Sequence, residues 1–307
     1  MLTSFFHLFF LLTCSFPAEP YHLPLRRAFK SALGSNSLRS SSDELFGGDT
    51  VPDDGVLIHS PTSQSAESSV ALRVLTTSAA HSPSNIPTTL IDTSLSGWGS
   101  GVHPTTFLCL SYLASLTPSP SFKKLTDYGC GSGVLGISAK HLGLGPKLQV
   151  IGVDIESEAL EATRTNWDEH NFPSEQESLE LFHAREVLPG YPISDQDLLL
   201  ANILIGALCR PSMVAVLVSA LKIPDESGEN GGLICFSGIR PDEKESLQEA
   251  YGKYIAFDDS QYVALSASDT PGSLQNYGFD VGDWCRVVGR RTVGKDFSSD
   301  MSEAAVQ

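Results

Sequence analysis

From about residue 89 onward, short apolar runs alternate with segments whose apolar residues recur at helical spacing. Five of these runs have the length of strands, namely residues 125–128, 148–154, 179–182, 197–204 and 233–239. The continuous apolar run within 197–204 is typical of a strand buried on both faces of a parallel sheet. Between them, segment 156–171 places Ala159, Leu160, Thr163 and Trp167 at the spacing of a helix that covers the sheet. The alternation predicts an α/β fold with a mostly parallel sheet.

The pattern also predicts how the sheet ends. Apolar runs at 256–257, 263–265 and 284–289 add an edge and a last antiparallel strand, which completes a Rossmann-like sheet of seven strands with helices on both faces. A helix is predicted over 206–221. Another begins at Pro104, with Thr105 or Thr106 as its cap, and its apolar residues lie all round it, so we expect it to be buried.

Composition divides the chain into four parts. Residues 1–42 are interpreted as a targeting presequence, and residues 43–88, rich in serine, aspartate, glycine and threonine, as a linker or a reduced N-terminal module. Residues 89–292 form the predicted folded domain, followed by a polar tail over 293–307 that we expect to be disordered.

The first 42 residues carry two targeting signals. Residues 5–12 are almost wholly apolar, too short to span a bilayer and of the length of a signal-peptide core. Residues 15–42 then contain one acid, Glu19, against four basic residues and many serines, as in a transit peptide. With Phe16 just past the apolar run, the pair resembles the bipartite presequence of algae with secondary plastids and predicts import into a plastid; a mitochondrial or a secreted protein is the alternative.

The net charge indicates which class of molecule the protein binds, and the cysteine spacing indicates whether it has a metal site. The net charge of −16 disfavours binding to nucleic acid, whose phosphates require basic side chains, and favours a basic protein partner. The six cysteines are scattered and show no zinc spacing, so we predict free thiols and no metal site. No membrane contact is expected of the mature chain.

The chemistry centres on the run Leu-Thr-Asp-Tyr-Gly-Cys-Gly-Ser-Gly at 125–133. Gly129, Gly131 and Gly133 lie between a predicted strand and a predicted helix, where they permit a sharp turn and close approach of a ligand to backbone N–H groups. The next strand ends at Asp154, 21 residues after Gly133, and a carboxylate there can accept hydrogen bonds from both ribose hydroxyls. The spacing predicts a nucleoside-cofactor site.

Two cofactors fit this spacing. Residues 131–136 match the dinucleotide pattern G-x-G-x-x-G, which suits NAD. Asp127, two residues before the first glycine, favours S-adenosylmethionine instead, because its carboxylate would repel a pyrophosphate and attract the sulfonium and ammonium groups of the methyl donor. An alternative role for Asp127 is to order the glycine loop by accepting its N–H groups.

Asn202 stands near the end of the apolar run 198–204. A buried amide needs partners, and ligands of open parallel sheets bind beyond the carboxyl ends of the strands, so we expect Asn202 to line the same crevice as Gly129 and Asp154. Its alternative role is to cap the next helix. His103 lies in a glycine-rich loop, where a histidine bonded to the backbone is the simpler interpretation.

Several of these segments together resemble the PrmA family, whose members methylate amines of the eleventh large-subunit ribosomal protein. Residues 97–106 are similar to the loop A-F-G-T-G-T-H-P-T-T of that family, residues 127–133 to its first motif, residues 152–154 to its second, and residues 201–204 to its A-N-I-L strand end. The resemblance extends over about residues 89–291. Upstream, the family has a small α/β substrate-recognition domain, where this chain has only residues 43–87.

The resemblance implies a class I methyltransferase that uses S-adenosylmethionine, with Thr106, Gly129, Asp154 and Asn202 at the cofactor positions. The implied reaction is in-line attack of a neutral amine, of a lysine or an N-terminus, on the sulfonium methyl. We expect Asn202 to hold the amine and His103 to position its loop or relay a proton. Another organelle protein as substrate, an NAD-linked oxidoreductase and a non-catalytic binding module remain the alternatives.

Overall fold

The computed structural model describes residues 55–59, 70–76, 85–92, 94–95, 103–117, 122–173, 178–227, 229–266 and 283–292. Near the N-terminal side of this part, three strands form a small sheet in the order β1-β2-β3: β1 is Val56–His59, β2 is Val70–Thr76 and β3 is Thr88–Ile91. β1 pairs with β2 antiparallel and β2 with β3 parallel. The division at 88/89 stays a prediction, and β3 spans it; the predicted presequence and C-terminal tail lie outside the described residues.

Five parallel strands form the centre of the main sheet, in the spatial order β8-β7-β4-β5-β6. They are β4 Lys124–Tyr128, β5 Gln149–Asp154, β6 Leu179–His183, β7 Leu198–Asn202 and β8 Leu233–Ile239. Their chain order reverses between β4 and β7, which places a crevice beyond the carboxyl ends of these two strands. The parallel centre predicted from the apolar runs is confirmed.

The antiparallel end of the sheet is also confirmed, with one refinement. β9 Ile255–Phe257 and β10 Val263–Leu265 both pair with β11 Trp284–Arg291, which itself lies antiparallel to β8. Gly289 faces Ile234 on one side and Phe257 on the other, so β8 and β9 lie on opposite edges of β11. The sheet thus has seven strand positions but eight strands, because two short strands share its outer edge.

Six α-helices lie among the described residues: α1 Pro104–Ser115, α2 Val134–His141, α3 Ser157–Glu169, α4 Ile205–Leu208, α5 Pro211–Ala220 and α6 Lys244–Tyr251. The single helix predicted over 206–221 was wrong. Pro211 has no N–H to continue the hydrogen bonds of α4, and instead occupies the first turn of α5. The predicted threonine cap of α1 was also wrong, because Thr105 and Thr106 lie inside the helix and His103 is the N-cap.

Two apolar cores hold the layers together. One joins α1, α2 and α3 to one face of the main sheet and includes Leu72 and Val74 of the small sheet. The other joins α5 and α6 to the opposite face. The small sheet packs on the outside of α1 and α2, so α1 is covered on the side that faces away from the main sheet. Leu110 and Leu113 are therefore fully buried, and the predicted burial of this helix is confirmed.

The described residues contain no helix that combines the length and the apolar character needed to cross a bilayer. Five of the six cysteines fall within the described ranges, and all five are free, in agreement with the predicted thiols.

Candidate functional site

Three neighbouring parallel strands end at one edge of the main sheet and bring the predicted site residues together. β5 ends at Asp154 and β7 at Asn202, and β4 lies between them, with Tyr128 paired to both Val153 and Ala201. Two strand spacings place the ends of β5 and β7 about 10 Å apart. The glycine loop of residues 129–133, which follows β4, therefore lies between Asp154 and Asn202.

The shape of the glycine loop requires glycine at two positions. Gly129 has φ of 83°, and a Cβ there would lie 2.5 Å from Ile203 Cγ2, directly after Asn202. Gly133 has φ of 81°, and a Cβ there would lie 2.9 Å from Thr163 Cγ2 of α3. Left-handed backbone is unfavourable for other residues, so the φ values alone favour glycine at both positions. The close approach of Ile203 and Thr163 shows that the loop also packs between the end of β7 on one side and α3 on the other.

Asp154 orders two turns with one carboxylate. Its Oδ2 accepts a hydrogen bond from the Gly131 N–H at 3.0 Å, and its Oδ1 accepts one from the Glu156 N–H at 3.0 Å. The residue is half-buried. Each ionised oxygen retains accepting capacity after one such bond, so the carboxylate can still accept two hydroxyl groups of a ligand.

Asp127 differs from Asp154 in its burial and in its hydrogen bonding. It is 1% exposed, beneath the glycine loop, and neither of its carboxyl oxygens has a hydrogen-bond partner in the structure. Burial, together with the negative charge of Asp154, raises the pKa of Asp127 to about 8; the Gly136 N–H opposes this shift but does not reach hydrogen-bond geometry. The alternative that Asp127 accepts the loop N–H groups is therefore wrong, and the carboxyl is neutral at pH 7.

Asn202 reaches across the crevice to the first turn of α1. Its Nδ2 donates to Thr106 Oγ1 at 3.4 Å, and Thr106 is 3% exposed. Among the hydrogen bonds of the described residues, Asn202 Oδ1 accepts none, so it is oriented as an acceptor at the strand end. The alternative helix-capping role is wrong, because the N-cap of α4 is Leu204.

His103 is the N-cap of α1. Its Nδ1 lies 2.8 Å from Thr105 Oγ1 and accepts the Thr105 N–H at 3.4 Å, so the backbone-bonded interpretation is confirmed. Burial, and then the charge of Arg240, lower the pKa of His103, which is therefore neutral at pH 7. Residues 96–102 of its loop lie outside the described ranges.

Comparison with known proteins identifies the family. The family model described as "Ribosomal protein L11 methyltransferase (PrmA)" matches residues 86–264, more than half of the chain. The chain belongs to this family. Its matched range contains the glycine loop, Asp154, Asn202, and the first helix with His103 and Thr106.

Curated relatives carry the same description. The ribosomal protein L11 methyltransferase of Teredinibacter turnerae is 41% identical over 50% of this chain and 45% of its own length. That of Escherichia coli is 34% identical over 67% of this chain and 57% of its own length. The chain thus spans about half the length of the curated PrmA relatives it matches. Among solved structures, precorrin-6y C5,15-methyltransferase of Geobacter metallireducens is similar with a TM-score of 0.43 and 16% identity, over 65% of this chain and 96% of that one.

The sequence did not point to two side chains beside His103. The Trp284 ring meets the His103 ring edge to face, with centroids 5.2 Å apart, and the Arg240 guanidinium lies 3.9 Å from the centroid of the Trp284 ring. Arg240 directly follows β8, and Trp284 begins β11. Only the antiparallel pairing of these two strands brings them together, although the position of Arg240 after a central strand was a usable signal.

Proposed function

We propose that this PrmA-family chain is an S-adenosylmethionine-dependent methyltransferase that modifies amine nitrogens of a ribosomal protein, the counterpart of the eleventh large-subunit protein. The observation that carries the proposal is the position of Asp154. A half-exposed carboxylate that already orders the glycine loop lies one strand from that loop and two strands from an acceptor amide, Asn202.

The residues present fit this cofactor. The carboxylate of Asp154 suits ribose hydroxyls, and Ile155 beside it is 62% exposed, which offers an apolar surface for an adenine ring. The unpartnered Asp127 carboxyl suits the ammonium of the methionine end, directly or through water.

Bound S-adenosylmethionine would supply an activated methyl group on a sulfonium, so the chain needs no covalent nucleophile. Its residues have to align an amine and exclude water, and alignment alone can contribute roughly 7–11 kcal/mol. Asn202 Oδ1 accepts a hydrogen bond from the neutral amine, while Thr106 fixes the amide through its Nδ2. Thr106 thereby contacts the site from the α1 side.

The amine must lose a proton before it attacks. A dry site lowers the pKa of a lysine amine, because burial disfavours the charged form. His103 is neutral at pH 7 and lies at the entrance of α1, where it positions the loop and can pass a proton towards solvent. The net charge of −16 favours a basic protein substrate over nucleic acid.

One reconstitution tests the proposal. The protein is incubated with labelled S-adenosylmethionine and with ribosomes from cells that lack an L11-type methyltransferase, and the labelled protein is identified by mass spectrometry, with Asp154→Ala as the inactive control. Label on lysine or N-terminal nitrogens of the L11-type protein is the expected result. Label on a different protein would favour the alternative of another organelle substrate, and binding of NADH without binding of the methyl donor would overturn the proposal.

We also propose that the protein acts in a plastid, on the basis of the two targeting signals in residues 1–42. A fluorescent protein fused behind residues 1–42 is expected to enter the plastid of an alga with secondary plastids. Removal of residues 1–14 should leave the fusion in the cytosol. Accumulation in mitochondria or in the medium would contradict the proposal and support one of the alternatives.

A further inference from the structure

Helix α3 presents two buried polar side chains to the glycine loop. Thr163 and Asn166 are three residues apart, and so on the same helical face, and they are 2% and 1% exposed. Thr163 Oγ1 donates to the Gly131 carbonyl at 2.9 Å, and Asn166 Nδ2 donates to the Ser132 carbonyl at 2.9 Å. Two consecutive carbonyl groups of the loop are thus fixed to one helix.

These bonds also set the direction of the loop N–H groups. In a planar trans peptide the C=O and N–H groups point in opposite directions. With the Gly131 carbonyl directed to α3, the Ser132 N–H points away from α3, and the same holds for the Ser132 carbonyl and the Gly133 N–H. The Gly133 N–H in turn donates to the Cys130 carbonyl at 2.8 Å, so the bond from Asn166 supports the turn inside the loop. The shape of the loop that a ligand meets therefore depends on the side chains of α3.

Asn166 differs from Thr163 because it has a second partner outside the loop. Its Oδ1 accepts the Asp92 N–H at 2.9 Å, directly after β3 of the small sheet. One amide therefore connects the small sheet to the glycine loop through its two ends. A buried amide that lacked either partner would be costly, which ties the two regions together.

We propose that Asn166 is a positioning residue for the cofactor, because its amide links the Ser132 carbonyl of the glycine loop to the end of β3 and so lets the small sheet set the shape of the loop. The proposal rests on the proposed function, which places S-adenosylmethionine at this loop. It assigns the small sheet a role in cofactor binding through the Asp92 N–H that follows β3.

A matched control is available on the same helix. His170 follows α3, and its Nε2 lies 3.2 Å from Leu90 N and 3.1 Å from Leu90 O of β3. His170→Ala therefore breaks a second contact with β3, like Asn166→Leu, and also the contact of His170 Nδ1 with His141 Nε2 of α2 at 2.8 Å, but it removes no bond to the loop. Asn166→Asp keeps the acceptor for Asp92 and loses the donor to Ser132 while it is ionised.

The test measures binding of S-adenosylhomocysteine by calorimetry at 25 °C, with Tm recorded for every variant. Asn166→Leu is expected to weaken binding about 10-fold, the effect of one lost orienting hydrogen bond, whereas His170→Ala changes it less than about 3-fold at a similar loss of Tm. Asn166→Asp should bind more tightly, relative to wild type, as the pH falls and its carboxyl regains a proton to donate. This pH response is a readout that a purely structural role would not produce in a fully folded protein.

Equal weakening by His170→Ala, or wild-type affinity in folded Asn166→Leu, would overturn the positioning role. If Asn166→Leu does not fold, the pH response of Asn166→Asp decides in its place, and a flat response counts against the proposal. Failure of the wild type to bind, or normal binding by Asp154→Ala, would instead overturn the proposed function itself, and the inference with it.

Discussion

The two sides of the crevice are built differently. On one side, hydrogen bonds of 2.7 to 3.0 Å join the glycine loop to the end of β5, at the Val153 carbonyl and the Asp154 carboxylate, and the loop is fixed by α3 as well. On the other side, the described residues give the Asn202 side chain one hydrogen bond, at 3.4 Å, to Thr106. The loop side is thus preorganised before any ligand arrives, whereas the Asn202 side retains an acceptor for a substrate. This difference suits a site that binds its cofactor first and aligns the amine afterwards.

The largest expected effect is on the loop side. Asp154→Ala removes both the proposed ribose contacts and the bond that holds the Gly131 N–H, so affinity for S-adenosylhomocysteine should fall about 100-fold or more in calorimetry, as for two charge-assisted hydrogen bonds. The fold should survive, because Asp154 is only half-buried. Glu161→Ala, an exposed acid on α3, is the control and should bind normally. Unchanged affinity in Asp154→Ala would show that the ribose assignment is wrong.

On the other side of the crevice, kcat should change more than affinity. Asn202→Ala removes the acceptor for the amine, and misplacement of the amine should lower kcat about 100-fold, with affinity for the cofactor changed less than about 10-fold. Asn202→Asp keeps an acceptor oxygen and should lose less activity. Steady-state kinetics with the ribosomal protein measure both. A variant that lost affinity but kept kcat would reverse the proposed division between the two sides.

The buried carboxyl of Asp127, on the loop side of the crevice, makes the stability of the protein depend on pH. Its raised pKa, about 8 against an ordinary value of 3.8, means that the folded state holds a proton that the unfolded state releases between about pH 4 and pH 8. Stability should therefore fall as the pH rises through that window. Asp127→Asn removes this dependence and should be more stable than wild type at pH 8.5, by about 1–3 kcal/mol, and equal to it near pH 4, in denaturant titrations.

The same variant tests the cofactor role of Asp127. A bound ammonium favours the ionised carboxylate, so binding to wild type at pH 7 should release a proton, as measured by calorimetry in buffers of different ionisation enthalpy. Asp127→Asn should release none and bind about 10-fold more weakly. Tight binding without proton release in the wild type would remove Asp127 from the cofactor site.

The smallest expected effect concerns the hydroxyl that orients Asn202. Thr106→Val keeps the shape of the side chain and removes the acceptor for Asn202 Nδ2, so kcat should fall about 3-fold, as expected for one long hydrogen bond. Thr126→Val is the matched control, since Thr126 is also buried, on β4, and its hydroxyl has no partner. That control should keep its activity and be at least as stable as wild type. An equal loss in both variants would mean that Thr106 acts only through packing.

Much of this architecture follows from local signals in the sequence. Apolar runs such as the one within 197–204 predicted buried parallel strands, here β7, and the glycines at 129, 131 and 133 predicted the sharp turn at the end of β4. Both depend on local chemistry: a strand buried on both faces has few polar residues, and left-handed backbone favours glycine. Pro211 is also a local signal, for a break in a helix, but the apolar pattern over 206–221 favoured a single helix in the prediction.

Other features depended on which distant segments meet. The sequence placed Asp127 and Asp154 near one loop, but only packing made Asp127 a buried acid with a raised pKa and left Asp154 half-exposed and bonded to the loop, since desolvation depends on the whole surrounding fold. The contact of Arg240 with Trp284 and the bond from Asn166 to Asp92 join segments 44 and 74 residues apart. Local pattern thus determined which elements form, whereas tertiary structure decided the burial of each acid and the partner of each polar group, because solvent exclusion and hydrogen-bond geometry arise only when the elements pack.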